Sequence, residues 1–468
     1  MTTGVRLRPR RDPSLRERLA ASAAARDAGS QMRTAELTGW LAERTRAHRF
    51  SVLRIPLDEL DGWFFAEHTG NLVHRSGRFF SVEGLSADVG EGPFRHWEQP
   101  IIRQPETGIL GILAKEFDGI LHFLMQAKME PGNRNLVQLS PTVQATRSNY
   151  TGVHRGSPVA YLGHFSGPGR GRVLADVLQS EHGSWFYRKT NRNMLVETAD
   201  DVEPHDDFRW LTLGQIGEAL RWDNVVNMDA RTVLACLPMP TAGGQALLTD
   251  AEAQSWFTVE RSRHDVQVRR IPLSRVRGWQ RDRYRLARPD GRYFRVVAVA
   301  VEADSREVSG WSQPLLEPTG AGVAAFLCRR IAGVPHLLVH ARVEGGFLGT
   351  VELGPTVQCA PANWAHLPRQ ERPLFLDTVL GADPERIRYQ AVHSEEGGRF
   401  LNAESRYLLV DADGAGDEVP ADPPPGYQWL TPGQLNAMAA HSHYLNVQAR
   451  TLLALLNTGA AVLGTGGP

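Results

Sequence analysis

Between Leu121 and Glu130 apolar and polar positions alternate, so in an extended chain Met125, Ala127 and Met129 face one way and Gln126, Lys128 and Glu130 the other. Such a charged row on the inner face of an apolar sheet would line a pocket; on a solvated edge strand the same alternation would meet water. Apolar runs predict strands over 108–115, 121–129 and 193–196, and again over 322–329, 336–343 and 407–410. Helical spacing starts near Thr34 and takes in Leu37 and Trp40. Thr212 with Gln215, and Thr431 with Gln434, have the spacing of capping boxes, and Pro432 falls at the first helical position. A second helix is expected after Asn227 and after Asn446, with Ala230, Val233, Leu234 and Leu237 forming one buried stripe. The class is therefore α+β, a mixed sheet flanked by helices.

The pattern occurs twice. Arg54-Ile-Pro-Leu57 returns as Arg270-Ile-Pro-Leu273, and from Trp97 onward the shift is a constant 214: Trp97 matches Trp311, Glu130 matches Glu344, Pro141 matches Pro355 and Phe186 matches Phe400. Internal duplication into two domains of one fold follows, 34–250 and 251–460. Residues 1–33, rich in Arg and Ala, are expected to be a mobile arm with some helical tendency. Residues 461–468 are expected to be a tail, with fraying from Thr458.

Composition excludes more than it identifies. The 468 residues carry 52 basic and 52 acidic side chains, so no bulk charge favours nucleic acid or an anionic membrane. Cys236, Cys328 and Cys359 lie far apart without metal-ligand spacing and are read as free thiols in a reducing compartment. No apolar run approaches about 18 residues and no secretory h-region opens the chain, so a soluble, cytoplasmic protein is expected. Basic residues are nearly all Arg; Lys occurs only at 115, 128 and 189, which singles out Lys128.

The order of each unit resembles the Nudix fold, on Val351-Glu-Leu-Gly-Pro355, Ser394-Glu-Glu-Gly-Gly-Arg-Phe400 with Glu404, and Trp429-Leu-Thr-Pro432. Neither 141–163 nor 355–376 holds the Arg-Glu-x-x-Glu-Glu helix whose stacked carboxylates bind magnesium in that fold, so no metal is expected. Nearly the whole chain resembles the NDP-hexose 2,3-dehydratases, tandem Nudix-like proteins. The carrying residues are Gln126-Ala-Lys-Met-Glu-Pro-Gly-Asn133, Val137-Gln-Leu-Ser-Pro-Thr-Val-Gln-Ala-Thr146, Ser148-Asn-Tyr-Thr151 with His154, His340-Ala-Arg-Val-Glu344 and Glu352-Leu-Gly-Pro-Thr-Val-Gln-Cys359. The resemblance implies a homodimer that removes the C-2 hydroxyl of dTDP-4-keto-6-deoxy-D-glucose, without a cofactor. Its 3,4-diketo-2,6-dideoxy product would pass to a separate NADPH-dependent 3-ketoreductase in deoxysugar biosynthesis.

A C-4 ketone acidifies the C-3 proton, so this elimination needs a base near C-3 and an acid near O-2. Glu130 is the candidate base: burial would raise its pKa and Lys128 on the same face would lower it. The two could equally form only an ion pair that orders the sheet. Tyr150 or His154 could protonate the leaving hydroxyl, and the 214 shift replaces them by Trp364 and Pro368. The first domain is therefore expected to carry the chemistry, and the second to bind a nucleotide sugar or support the dimer. Candidate diphosphate ligands are Arg147, Arg188 and Lys189 in the first unit and Arg342, Arg399 and Arg406 in the second. Trp185 or Trp364 could stack on thymine or belong to a core. Gln126, Asn133, Gln144 and Asn149, with Glu344 and Gln358 in the second copy, are candidate hydrogen-bonding residues. Gly132 is expected to serve the backbone angles of its turn, and His122 and His336, one per copy, a shared strand-end bond. The reading from another class is a catalytically silent tandem module that binds nucleotide sugar or scaffolds a complex.

Overall fold

A computed structural model describes residues 14–90, 95–146, 159–167, 171–239, 246–304, 308–413, 415 and 418–463. Each repeat builds a seven-stranded mixed sheet, in which the three expected strands are joined by four that the sequence reading does not single out. In the first, Arg172–Ser180, Thr190–Glu197, Gly108–Phe117, Ile120–Met129 and Phe208–Thr212 lie side by side, with Val137–Ser140 and Val143–Ala145 paired to the central hairpin. Thr190–Glu197 runs parallel to Gly108–Phe117. The second sheet repeats this order with Ile387–Ser394, Glu404–Asp411, Gly322–Ile331, Val334–Val343 and Tyr427–Leu430.

Each repeat also contributes to a smaller five-stranded sheet, and here the two copies trade strands. Phe50–Ile55 of the first repeat pairs antiparallel with Phe294–Ala303 of the second. Gln267–Ile271 of the second pairs antiparallel with Ser81–Asp88 of the first. The division at 250/251 thus separates two sequence repeats that are not self-contained bodies. A constant shift shows which segments are alike; it carries no information about which copy a strand will pair with.

The helices join the two halves. Thr212 and Thr431 each accept a bond from the backbone N–H of a Gln three residues on, and that Gln bonds back. Asn227 and Asn446 cap Met228–Leu234 and Val447–Asn457, whose buried faces meet in one hydrophobic core that runs through both repeats. Between these helices Arg231 Nε donates to Thr451 Oγ1, and Arg450 Nε donates to Thr232 Oγ1. Both arginines are almost fully buried.

Two termini differ from expectation. Within the arm, Leu15–Ala24 is a docked helix: Leu19 is fully buried, Ser22 Oγ donates to Leu121 O, and Arg18 pairs with Glu197 at 2.5 Å. Two leucines, Leu15 and Leu19, and one serine in an Arg/Ala-rich segment give too little periodicity to predict that docking. At the other end Thr458, Ala460 and Ala461 are buried in the core, so fraying does not begin at Thr458. His122 and His336 do share a strand-end role. Each bonds a backbone carbonyl two residues earlier through Nδ1 and accepts a backbone N–H at Nε2, from Ser30 and Leu247 respectively.

Candidate active site

The strand Ile120–Met129 presents Gln126 and Lys128 on its half-buried face, and its end delivers Glu130 into the protein at 5 % exposure. Lys128 Nζ lies 3.1 Å from Glu130 Oε1, and Gln144 Nε2 donates to the same oxygen at 3.4 Å. Gln144 arrives there because Thr142, two residues before it, is pinned: its hydroxyl accepts from Leu113 N and donates to Leu124 O, holding the Pro-Thr-Val-Gln segment over the hairpin. The second copy repeats the arrangement. Arg342 Nε bonds Glu344 Oε1 at 2.7 Å, Gln358 Nε2 donates to it at 3.0 Å, and Thr356 bridges Leu327 N and Leu338 O.

Neither carboxylate is enclosed by its own repeat alone. Gly132 N donates to Gly397 O at 2.7 Å and Asn402 N donates to Gly132 O at 2.7 Å, so the turn after Glu130 sits on the loop 394–402 of the second repeat. Gly346 and the loop 180–188 make the reciprocal pair, Gly346 N to Gly183 O and Arg188 N to Gly346 O, both 2.7 Å. Gly132 is therefore required by proximity rather than by backbone angles. A Cβ there would collide with Phe400 O, as one on Gly346 would with Phe186 O. The left-handed residues of these turns are Leu136 (φ 60°) and Thr350 (φ 62°).

The crossing loops bring in acids that the alternation could not reveal. Glu181 accepts from Asn191 Nδ2 at 2.6 Å, and His182 Nε2 lies 2.8 Å from Glu395 Oε2 across the join between repeats. Burial opposes a charge on His182, but bonding to Glu181 and Glu395 prevails and lifts its pKa to about 9. Burial, opposed by Arg399 and reinforced by Glu130 and Glu181, lifts the Glu396 carboxyl to about 7. Asp229 is raised well above the carboxylate range by burial, then by Glu181, Glu396 and Glu130. The Lys189 ammonium is pulled down, burial being the main cause. Among the described residues no three His, Cys, Asp or Glu side chains converge as metal ligands.

The expected residues therefore divide. Lys128, Glu130 and Gln144 come together, with buried Asn133 in the following turn; Arg342, Glu344 and Gln358 form the second set. Arg147, Asn149, Tyr150 and His154 lie outside the described residues. Lys189 is buried and donates to Glu106 O; Arg399 Nε donates to Gln104 Oε1 at 3.2 Å. Arg188 is exposed over Tyr187, and Arg406 is half-buried on Glu404–Asp411. The Trp185 ring packs against His182 and Phe400, while Trp364 is half-buried at the end of a 3-10 turn. Glu181, Asp229 and Glu396 were missed, although the 214 shift aligns Ser180-Glu-His-Gly183 with Ser394-Glu-Glu-Gly397 and so marks both loops.

In this duplicated α+β protein a buried carboxylate gripped by a cation and an amide, beside a second carboxyl raised by burial, is an arrangement able to exchange protons. The chain belongs to the NDP-hexose 2,3-dehydratase family, whose model matches it twice, over residues 34–237 and 250–456. It is 60% identical over 460 residues to a dTDP-4-dehydro-6-deoxy-alpha-D-glucopyranose 2,3-dehydratase of Amycolatopsis orientalis, covering 97% of this chain and 96% of that one. Proteins of the same description from Saccharopolyspora spinosa and Streptomyces violaceoruber are 50% and 53% identical, each over 91% of this chain and over 91% and 97% of their own lengths.

Proposed function

We propose that this protein is a lyase that removes water from dTDP-4-keto-6-deoxy-D-glucose, taking the C-3 proton and expelling the C-2 hydroxyl. The enol that results relaxes to a 3,4-diketo-2,6-dideoxy sugar, with no net redox change. The observation that carries the reading, beside the named relatives, is Glu130: a buried carboxylate with one oxygen held by Lys128 and Gln144 and the other turned toward the opposite loop. A base so held keeps its orientation while it takes a carbon-bound proton.

The first repeat's pocket is assigned the chemistry. Asn133 stands there where the second repeat has Phe347, a buried ring that a Cβ on Gly183 would strike. The second pocket would then hold a nucleotide sugar without converting it, or support a dimer. Each half is read as Nudix-like, the enzyme as a cytoplasmic homodimer, and its product as the substrate of an NADPH-dependent 3-ketoreductase. Arg147 is proposed for the diphosphate, Asn149 for the sugar or base, and Tyr150 or His154 as donor to the leaving hydroxyl; all four lie outside the described residues. No helix among the described residues is long and apolar enough to cross a membrane.

Incubation of the protein with dTDP-4-keto-6-deoxy-D-glucose, a 3-ketoreductase and NADPH tests the reading by mass spectrometry. Loss of one water, followed by uptake of two hydrogens, is expected. Intact sugar with tight binding would replace the lyase by a silent binding module.

A further inference from the structure

The loop that crosses from the second repeat brings a second carboxyl to Glu130. Glu396 Oε1 and Glu130 Oε2 stand 2.5 Å and 3.0 Å from the point that a Cβ on Gly398 would occupy, so the two side chains face one another across a missing methyl group. Glu396 Oε1 accepts from Gly398 N at 2.8 Å, and its Oε2 is buried without a hydrogen-bond partner among the described residues. Beside it Asn133, 4 % exposed, has an equally unpartnered Oδ1 against Gly397. The position is fixed from several sides: Arg231 Nη2 donates to Ser394 O, Ser394 Oγ to Gln138 Oε1, and Gln313 Nε2 to Gly398 O.

We infer that Glu396, supplied by the second repeat, rather than Tyr150 or His154, is the acid that protonates the departing C-2 hydroxyl while Glu130 of the first repeat takes the C-3 proton. This rests on the dehydratase reading above. Glu130 starts as carboxylate and Glu396 as carboxylic acid. The C-3–H bond breaks toward Glu130, the C-2–O bond breaks, and the Glu396 proton leaves in water. The enol then gives its O-3 proton to Glu396 while Glu130 returns its proton to C-2, so both side chains end as they began and no oxidant or reductant is consumed.

Electrostatics agree with this division. Glu130 faces Glu396, and Glu181, Asp229, Arg399 and Lys189 are near enough to act on it or be acted on electrostatically. The acids and burial outweigh the cations and keep the group protonated up to about pH 7. In the second pocket the position 214 residues back is His182, which Glu181 and Glu395 already bind.

The test compares wild type and Glu396→Gln in deuterated water, following deuterium entry at C-3 and water loss separately. Glu396→Gln is expected to slow water loss by roughly 10²-fold or more while C-3 exchange continues, and to erase the fall in kcat above about pH 7. Water loss at the wild-type rate with the same pH profile would overturn the assignment, as would equal loss of exchange and elimination in a variant that keeps wild-type thermal stability. Should the Gln variant not fold, Glu396→Asp serves: elimination at least about tenfold slower with exchange intact supports the role, and unchanged elimination refutes it. A wild-type protein that releases no water would refute the dehydratase reading itself, whatever the variants do.

Discussion

Arg231 of the first repeat donates to Ser394 O of the second, and Arg450 of the second donates to Ser180 O of the first. Each also bonds the carbonyl five residues before it, at Val226 and Leu445. Two buried guanidinium groups thus tie the loops that close the pockets to the helices at the centre of the molecule.

Arg231→Leu should therefore leave buried carbonyls without donors and lower stability by about 3 kcal/mol or more, and Arg450→Leu should do the same. Urea unfolding checks this. Closely similar losses are expected because the bond sets are equivalent, and a variant with the wild-type midpoint would show that the anchors are dispensable.

Close approach, rather than turn geometry, governs Gly132 and Gly346. Their replacement by Ala should cost about 1–3 kcal/mol, since Phe400 O and Phe186 O belong to backbone and cannot swing aside. Gly39 is the control: it lies in the helix Leu37–Ala47 with nothing within 4 Å of a Cβ, so Gly39→Ala should stabilise by about 0.5–1 kcal/mol. Thermal unfolding of the three variants decides it.

The contributions of His182 and Glu396 to stability should fall as pH rises. The His182 pKa is about 9 in the fold against an ordinary 6.5, so its contribution is complete below 6.5 and is lost as pH climbs through 9. Glu396, at about 7 against 4.5, acts in the same direction over a lower window, its contribution complete below 4.5 and lost as pH climbs through 7. Urea midpoints from pH 6.5 to 9 should drop in the wild type by an amount that corresponds to roughly 3 kcal/mol for His182 alone. In a His182→Gln variant the drop over that window should be smaller. The same change in wild type and variant over that window would contradict the charge state assigned to His182.

Much of this was legible because it is periodic or local. The polar row at Gln126, Lys128 and Glu130, the capping Thr and Asn residues and the paired His122 and His336 all follow from spacing within one element. What stayed hidden depends on contacts between distant segments. Phe50–Ile55 reads as a strand in either repeat's sheet, because alternation fixes its faces and not its partner. Glu396 lies in a loop, where no period marks an inward side chain, and its proximity to Glu130 exists only once the repeats are joined. Gly132 reads as a turn residue because a sequence shows no neighbouring carbonyl.

Glu130 and Glu344 are the same residue in two copies of one site, and the account assigns proton abstraction to the first alone. The most direct measurement is the rate at which deuterium at C-3 of dTDP-4-keto-6-deoxy-D-glucose is lost to water in Glu130→Gln and Glu344→Gln proteins that fold like the wild type. Glu130→Gln should lose roughly 10²-fold or more and Glu344→Gln should remain near the wild-type rate. Washout at the wild-type rate in Glu130→Gln would contradict the account.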